Sequence, residues 1–386
     1  MTLELTPARL AGEITPPPSK SQAHRLLIAS ALAGGGKIEN LARSEDIDAT
    51  RRCLEVLLAT SDKPPLLDCG ESGSTLRFLM PLALALRGGG VFTGHGRLME
   101  RPQKPYFDLF DRQGIAYRRE GNALTLSGTL RAGEFTLPGN VSSQFITGLL
   151  YALPLLEGDS DIVLTSLLES SGYVEMTVEV LARFGITVEG RYHIPGGQRY
   201  RPTDTAVESD YSQAAFFYAA NGLGNHIEIH GLREDSTQGD RVIRSYYRQL
   251  CGEGEVVLDV SQCPDLVPAL ALHAALRAGE VTRIVNAARL RIKESDRLET
   301  VSAQLNRLGA RMTQGEDSLT ITGVPELTGG RVSGCNDHRI AMMLGIAATR
   351  ATAPVLLEDA ACVAKSYPGF WSDYAALGGV LREVSE

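Results

Sequence analysis

The chain has 386 residues, of which 43% are hydrophobic and 22% charged, the balance of a soluble globular protein large enough for two domains. Its 38 basic and 46 acidic side chains give a net charge of −8, which argues against a general nucleic-acid surface. The longest apolar run, 78–86, contains Pro81 and falls short of the ~18 residues that span a bilayer, and the first five residues lack the pattern of a secretory signal.

From the N-terminus, a first strand leads to Pro16-Pro17-Pro18, which stiffens the chain before a polar junction, Ser19-Lys20-Ser21-Gln22-Ala23-His24-Arg25. A nearly all-apolar helix is predicted over 25–33 and an amphipathic one over 46–59. The junction Glu71-Ser72-Gly73-Ser74-Thr75-Leu76-Arg77 opens the next apolar helix, and Met99-Glu100-Arg101-Pro102 precedes an amphipathic one. Glu120-Gly121-Asn122 marks a turn into a strand over 123–126. Val141-Ser142-Ser143-Gln144 opens a third apolar helix, followed by a strand over 162–164 and an amphipathic helix over 175–184. The polar stretch from Gln198 to Asp204 is the expected crossing between two halves.

In the second half, Ser209-Asp210-Tyr211-Ser212 opens a helix ahead of a strand over 226–229, a helix over 241–250 and a strand over 255–259. Cys263-Pro264-Asp265 opens a highly apolar helix, and Lys293-Glu294-Ser295-Asp296-Arg297 begins an amphipathic one over 295–308. After a strand over 319–322, Asn336-Asp337-His338-Arg339 opens an apolar helix over 340–348, and Lys365-Ser366-Tyr367-Pro368 follows. The repeating order is strand–helix–strand–helix–strand–strand, and the six junctions recur roughly every 50–75 residues, a period of stacked or ringed units. The first strand is expected to belong with the C-terminal half, giving one lobe of 1–18 plus 206–386 and another of 19–205.

Six helix starts with polar side chains point to a multiply anionic small molecule, because free N–H groups and the positive dipole end face outward there. Lys20, Arg25, Arg77, Arg101, Lys293, Arg297, Arg339 and Lys365 gather near these junctions in an otherwise acidic chain. Taken alone, most of these segments are better explained as capped helix starts, and those at Gly73 and Ser142 equally well. Asp210 is expected to be structural, and His338 a core or hinge residue rather than a metal ligand. Cys53, Cys69, Cys251, Cys263, Cys335 and Cys362 are scattered without metal-ligand spacing, which suits reduced thiols in a cytosol. Dinucleotide, P-loop and hydrolase motifs are absent.

Together the segments are far more specific. Lys20-Ser21-xxx-Arg25, Ser72-Gly73-Ser74-Thr75-x-Arg77, Glu100-Arg101-Pro102, Ser142-Ser143-Gln144, Pro264-Asp265, Lys293-Glu294-Ser295-Asp296-Arg297, Asn336-Asp337-His338-Arg339 and Ala364-Lys365-Ser366-Tyr367-Pro368 stand in one order. Over essentially the whole chain this resembles the EPSP synthases, the 3-phosphoshikimate 1-carboxyvinyltransferases. The resemblance implies an α/β (α+β) fold, a two-lobed inside-out α/β barrel of six βαβαββ units with the site in the interlobe cleft. It implies transfer of the enolpyruvyl group of phosphoenolpyruvate to the 5-hydroxyl of shikimate 3-phosphate, in aromatic amino acid (chorismate) biosynthesis. Neither metal nor organic cofactor is implied, and the expected enzyme is a cytoplasmic monomer with no nucleic-acid or membrane partner.

By matching motif, the resemblance assigns shikimate 3-phosphate to Lys20, Ser21, Arg25, Ser142, Ser143, Gln144, Ser170, Tyr173, Asp265 and Lys293. Ser21 and Arg25 would take its carboxylate, and Ser142, Ser143 and Lys293 its phosphate. Phosphoenolpyruvate falls to Lys20, Gly73, Arg101, Gln144, Arg297, Arg339 and Lys365, with Arg77 beside them. The catalytic set is Asp265 as base to the hydroxyl, and Glu294 with Lys20 or Lys365 on the proton route to the methylene carbon. Departures from the common pattern are Glu71, Phe78, Gly172 and Arg289. The alternatives are a UDP-N-acetylglucosamine enolpyruvyl transferase, whose first motif has Asn after Lys and whose loop carries a reactive Cys, and a catalytically silent anion-binding paralogue.

Overall fold

A computed structural model describes residues 1–384; Ser385 and Glu386, the end of the expected 206–386 segment, lie outside the described residues. The chain forms two units, one of residues 20–207 and one of residues 1–19 together with the chain from Glu208 onward.

The 20–207 unit holds helices α1 (Lys20–Leu32), α2 (Glu45–Leu58), α3 (Gly73–Arg87), α4 (Lys104–Gln113), α5 (Ser143–Ala152) and α6 (Ser171–Arg183). The other holds α7 (Tyr211–Gly222), α8 (Ile243–Leu250), α9 (Val267–Ala275), α10 (Arg297–Arg307), α11 (His338–Ala347) and α12 (Phe370–Ala376). The two kinds of helix read from the sequence alternate along the chain. All ten residues of α11 and all nine of α9 are buried, because apart from His338, Arg339 and His273 their sequences are apolar around the whole circumference. By contrast α2 buries one face, Ile47, Ala49, Thr50, Cys53, Leu54 and Leu57, and α8 buries only Ile243 and Leu250.

Four of the six polar junctions cap a buried helix with a side chain. Ser72 Oγ accepts the Thr75 N–H at 3.1 Å, and Ser142 Oγ the Gln144 N–H at 3.3 Å. Asp210 Oδ1 accepts the Ser212 N–H at 2.7 Å, and Asp337 Oδ1 the Arg339 N–H at 3.0 Å. Each bond satisfies one of the N–H groups left without a partner at a helix start, worth about 1 kcal/mol. The other two junctions differ: Lys20 opens α1 directly, and Pro264–Leu266 forms a 3-10 turn before α9.

Three four-stranded sheets share one strand order. In the first, Leu66–Asp68 pairs in parallel with Gly89–Thr93, then Ala123–Ser127 and Ala116–Glu120 follow antiparallel. Val256–Asp259, Val281–Val285, Leu319–Thr322 and Arg311–Gln314 repeat that order. The third joins Gly330–Ser333, Val355–Glu358, Thr2–Thr6 and Val380–Val384, so the N-terminal strand completes a sheet of the C-terminal segment. Three smaller sheets accompany them, each with one parallel pair. Each parallel pair in the large sheets is bridged by an apolar helix, α3, α9 or α11, whose N-terminus follows a strand end. That connection aims the polar junctions one way out of their sheets.

Each unit has its own core. Helices α3 and α5 pass closely at Gly148, where a Cβ would lie 2.2 Å from the Tyr106 hydroxyl and 2.4 Å from the Arg77 carbonyl. No helix among the described residues is long and apolar enough to cross a membrane.

Candidate active site

In the 20–207 unit, the start of α1 carries two cations in opposite circumstances. Lys20 Nζ donates to Asp46 Oδ2 at 2.8 Å, in the first turn of α2. Arg25 is 2% exposed, and its donors meet neutral oxygens: Thr177 Oγ1 at 2.8 Å, the Ser21 carbonyl at 2.7 Å and the Tyr173 carbonyl at 2.8 Å. The guanidinium also lies over the Phe78 and Tyr173 rings, 5.3 and 5.8 Å from their centroids. Among the described residues no carboxylate pairs with it, and burial lowers its pKa to about 10. A buried cation lacking a counter-charge favours an incoming carboxylate.

Ser170 stands beside this group, since its carbonyl accepts the Tyr173 N–H at 3.1 Å. It precedes α6 with φ 56°, and its side chain makes no capping bond to the helix. A left-handed serine is strained by roughly 1–2 kcal/mol. Ser21, Arg25, Ser170 and Tyr173 are thus one local constellation.

A second constellation joins α3, α5 and the turn before α4. Arg77 donates to Gln144 Oε1 at 2.8 Å, to the Pro102 carbonyl at 3.0 Å and to Gln103 Oε1 at 3.3 Å. Gln144 Nε2 in turn donates to Ser74 Oγ at 3.0 Å. Arg77 therefore fixes Gln144 and the turn that carries Arg101. The Arg101 guanidinium packs on Gly73, where a Cβ would lie 2.7 Å from one of its nitrogens. The backbone of Gly73 is itself helical, so a side chain there would press only on the far end of Arg101. Ser142 caps α5, and Ser143 is buried as its first residue.

In the other unit, Asp265 sits among three cations. Its Oδ1 accepts from Arg297 at 2.8 Å and from Lys293 Nζ at 3.1 Å, and its Oδ2 from Arg339 at 3.3 Å. Arg297, 1% exposed, also donates to Glu294 at 2.8 Å and through Nε to Asp337 Oδ2 at 2.8 Å. Burial pushes the Asp265 pKa up, but Lys293, Arg339 and Arg297 together hold it well below the usual carboxylate range. Burial lowers the Lys293 pKa, and the Arg297 charge adds to that. Lys365 Nζ donates to the Asn336 carbonyl and to Asn336 Oδ1, both at 2.7 Å. Cys335 and Asn336 are both left-handed, φ 52°, so the turn ahead of Arg339 is strained.

Asp265, Lys293, Glu294, Arg297 and Arg339 are brought into one network, with Lys365 bonded to the turn that starts α11. Sequence reasoning did not select Asp46, which holds Lys20, or Asp337, which anchors Arg297 and caps α11. It left Thr177 and Gln103 unmarked as well. Asp337 lies inside the 336–339 motif, of which only Arg339 is assigned to a substrate; the bond to Arg297 crosses 40 residues and has no local signal.

The departures also find places. Glu71 faces His95 Nδ1 at 3.3 Å. Phe78 is buried under Arg25 and meets His24 edge-on. Gly172 lies in the first turn of α6, and Arg289 donates to the Ser261 carbonyl. Among the described residues Glu13, Glu228 and His230, all exposed, form a further group able to hold a metal ion.

The family model of EPSP synthase (3-phosphoshikimate 1-carboxyvinyltransferase) matches residues 5–374. The chain belongs to the EPSP synthase family. A 3-phosphoshikimate 1-carboxyvinyltransferase of Clostridium kluyveri is 44% identical, covering 99% of each chain over 421 aligned positions, more than this chain's own length. One of Clostridium acetobutylicum is 45% identical, again over 99% of each. An EPSP synthase structure from Acinetobacter baumannii superposes with a TM-score of 0.77 at 23% identity, covering 99% of this chain and 100% of that one. The mixed helix-and-strand fold described above is therefore that of the EPSP synthases.

Proposed function

We propose that this chain transfers the enolpyruvyl group of phosphoenolpyruvate to the 5-hydroxyl of shikimate 3-phosphate, releasing phosphate. The observation that carries the reading is the full-length match, at 44–45% identity, to relatives named for that transfer. The finer architecture, six βαβαββ repeats in an inside-out barrel, is part of the same reading. Its support is the shared strand order of three sheets and the alternation of buried and amphipathic helices. A cytoplasmic setting is supported by six cysteines that are all free.

Each residue role rests on chemistry. Arg25, a buried fork with neutral partners, takes the shikimate carboxylate with Ser21, while Ser170, Tyr173 and Gln144 face the ring. Ser142, Ser143 and Lys293 take its phosphate, combining a helix start, hydroxyls and a point cation. Phosphoenolpyruvate is assigned to Lys20, Gly73, Arg101 and Gln144 of one unit and to Arg297, Arg339 and Lys365 of the other. At ~4 Å a unit charge pair is worth ~4 kcal/mol at an effective dielectric near 20, so the two doubly functional anions need this many cations.

In the reaction the 5-hydroxyl oxygen adds to C2 of phosphoenolpyruvate as Asp265 takes its proton, and C3 gains a proton by way of Glu294 with Lys20 or Lys365. The tetrahedral adduct then loses a proton from C3 and its C2–O bond to phosphate. Three cations hold Asp265 deprotonated but weakly basic. Substrate anions that share Lys293, Arg297 and Arg339 relieve this hold, so the base strengthens when the site fills. Turnover of Asp265→Ala and Glu294→Ala is expected to fall by at least a hundredfold with shikimate 3-phosphate binding retained; near-normal turnover refutes these roles.

A further inference from the structure

Four buried polar side chains form a chain beneath the helix starts that carry Lys20, Asp46 and Gly73. Thr75 Oγ1 donates to Ser72 Oγ at 2.7 Å, Thr50 Oγ1 and Thr75 Oγ1 lie 2.6 Å apart, and Thr50 Oγ1 is 2.7 Å from His24 Nδ1. None of the four is more than 1% exposed. A hydroxyl has one hydrogen to give, so direction at one end sets the rest. Thr75 spends its hydrogen on Ser72, and Thr50 must therefore donate to Thr75. Thr50 can then only accept from His24. The proton sits on Nδ1, and Nε2 is left as a bare, buried lone pair with no hydrogen-bond partner among the described residues.

We infer that His24 is a positioning residue, fixed as the neutral Nδ1–H tautomer, which sets Lys20 and Asp46 against the Gly73 turn. The inference rests on the function proposed above. His24 lies one helical turn after Lys20, and Thr50 one turn after Asp46, so both pairs share a helix face. The His24–Thr50 bond thus repeats, one turn deeper, the spacing of the Lys20–Asp46 ion pair. Thr75 and Ser72 flank Gly73 and tie the cap of α3 to the same chain. A second proton on His24 would add a charge beside Lys20 and Arg25, with Asp46 already engaged by Lys20. Burial, and then those two cations, hold its pKa well below the ordinary histidine value.

Two variants separate the role from mere packing. His24→Asn supplies a side-chain N–H where Nδ1–H was, and His24→Leu fills the space without a donor. A long-range proton–nitrogen spectrum of histidine-labelled protein, with His24→Asn marking the signal, tests the tautomer without reference to turnover. A neutral ring protonated at Nδ1 from pH 5.5 to 8 is expected; an Nε2–H tautomer, or an imidazolium at pH 6, overturns it. In His24→Leu the KM for phosphoenolpyruvate should rise at least tenfold, with the shikimate 3-phosphate dissociation constant within threefold, and His24→Asn should recover to within threefold of the parent. An unchanged KM in His24→Leu, or no recovery in His24→Asn, overturns the positioning role. A parent enzyme without turnover would overturn the proposed reaction and this role together, leaving the tautomer to the spectrum.

Discussion

Arg297 Nε donates to Asp337 Oδ2 at 2.8 Å with both side chains out of water, and the same carboxylate accepts the Arg339 N–H that begins α11. One buried aspartate thus positions an arginine side chain and the backbone of another. Asp337→Ala should lower stability by about 3–5 kcal/mol, the cost of breaking a buried pair from one side. Asp337→Asn, which keeps an acceptor for the cap, should cost less. Urea unfolding of the two variants measures both; a loss below about 1 kcal/mol for Asp337→Ala would contradict this anchoring.

Gly73→Ala places a methyl where the Arg101 guanidinium rests, 2.7 Å from its nearest nitrogen. The backbone there is helical, so the strain falls on Arg101 and not on the fold. KM for phosphoenolpyruvate should rise several-fold, with shikimate 3-phosphate binding unaltered and the unfolding midpoint nearly so. An unaltered KM would mean that Arg101 yields at no cost.

Arg25 donates to four neutral oxygens, and burial already lowers its pKa to about 10. Arg25→Gln removes the charge while keeping an amide donor. Affinity for shikimate 3-phosphate should drop by thirtyfold or more, while stability changes by no more than about 1 kcal/mol. Titration calorimetry and thermal unfolding decide it, and a strong loss of stability with affinity kept would make Arg25 purely structural.

His273 is buried in α9, and burial, helped by Arg277, lowers its pKa to about 4. Between pH 6.5 and 4 the unfolded chain takes up a proton that the folded chain refuses. Its contribution to stability is therefore fully present above pH 6.5 and is lost as the pH falls through that window, by about 2–3 kcal/mol near pH 4.5. Urea unfolding at pH 7 and 4.5 should show a smaller acid loss in His273→Leu than in the parent. Equal losses in both would assign the acid sensitivity to other groups.

Much of the fold was legible in the sequence because its signals are local. Gly73, Ser142 and Lys20 mark helix starts, and apolar runs such as 340–348 announce helices buried on every side. The choice of partners was less legible. Lys20 meets Asp46 across 26 residues, Arg297 meets Asp337 across 40, and His24 reaches Ser72 only by way of Thr50 and Thr75. Such bonds follow from how sheets and helices assemble, which local propensity does not encode. Asp210 and Asp337 illustrate the difference. Both are helix caps with the same local signature, yet only Asp337 also binds Arg297.

Phosphate release from phosphoenolpyruvate, followed with shikimate 3-phosphate and separately with UDP-N-acetylglucosamine, is the most direct measurement of what this chain does. Release that depends on shikimate 3-phosphate and is absent with the nucleotide sugar is the predicted result. Release with the nucleotide sugar, or none with either acceptor, would contradict it.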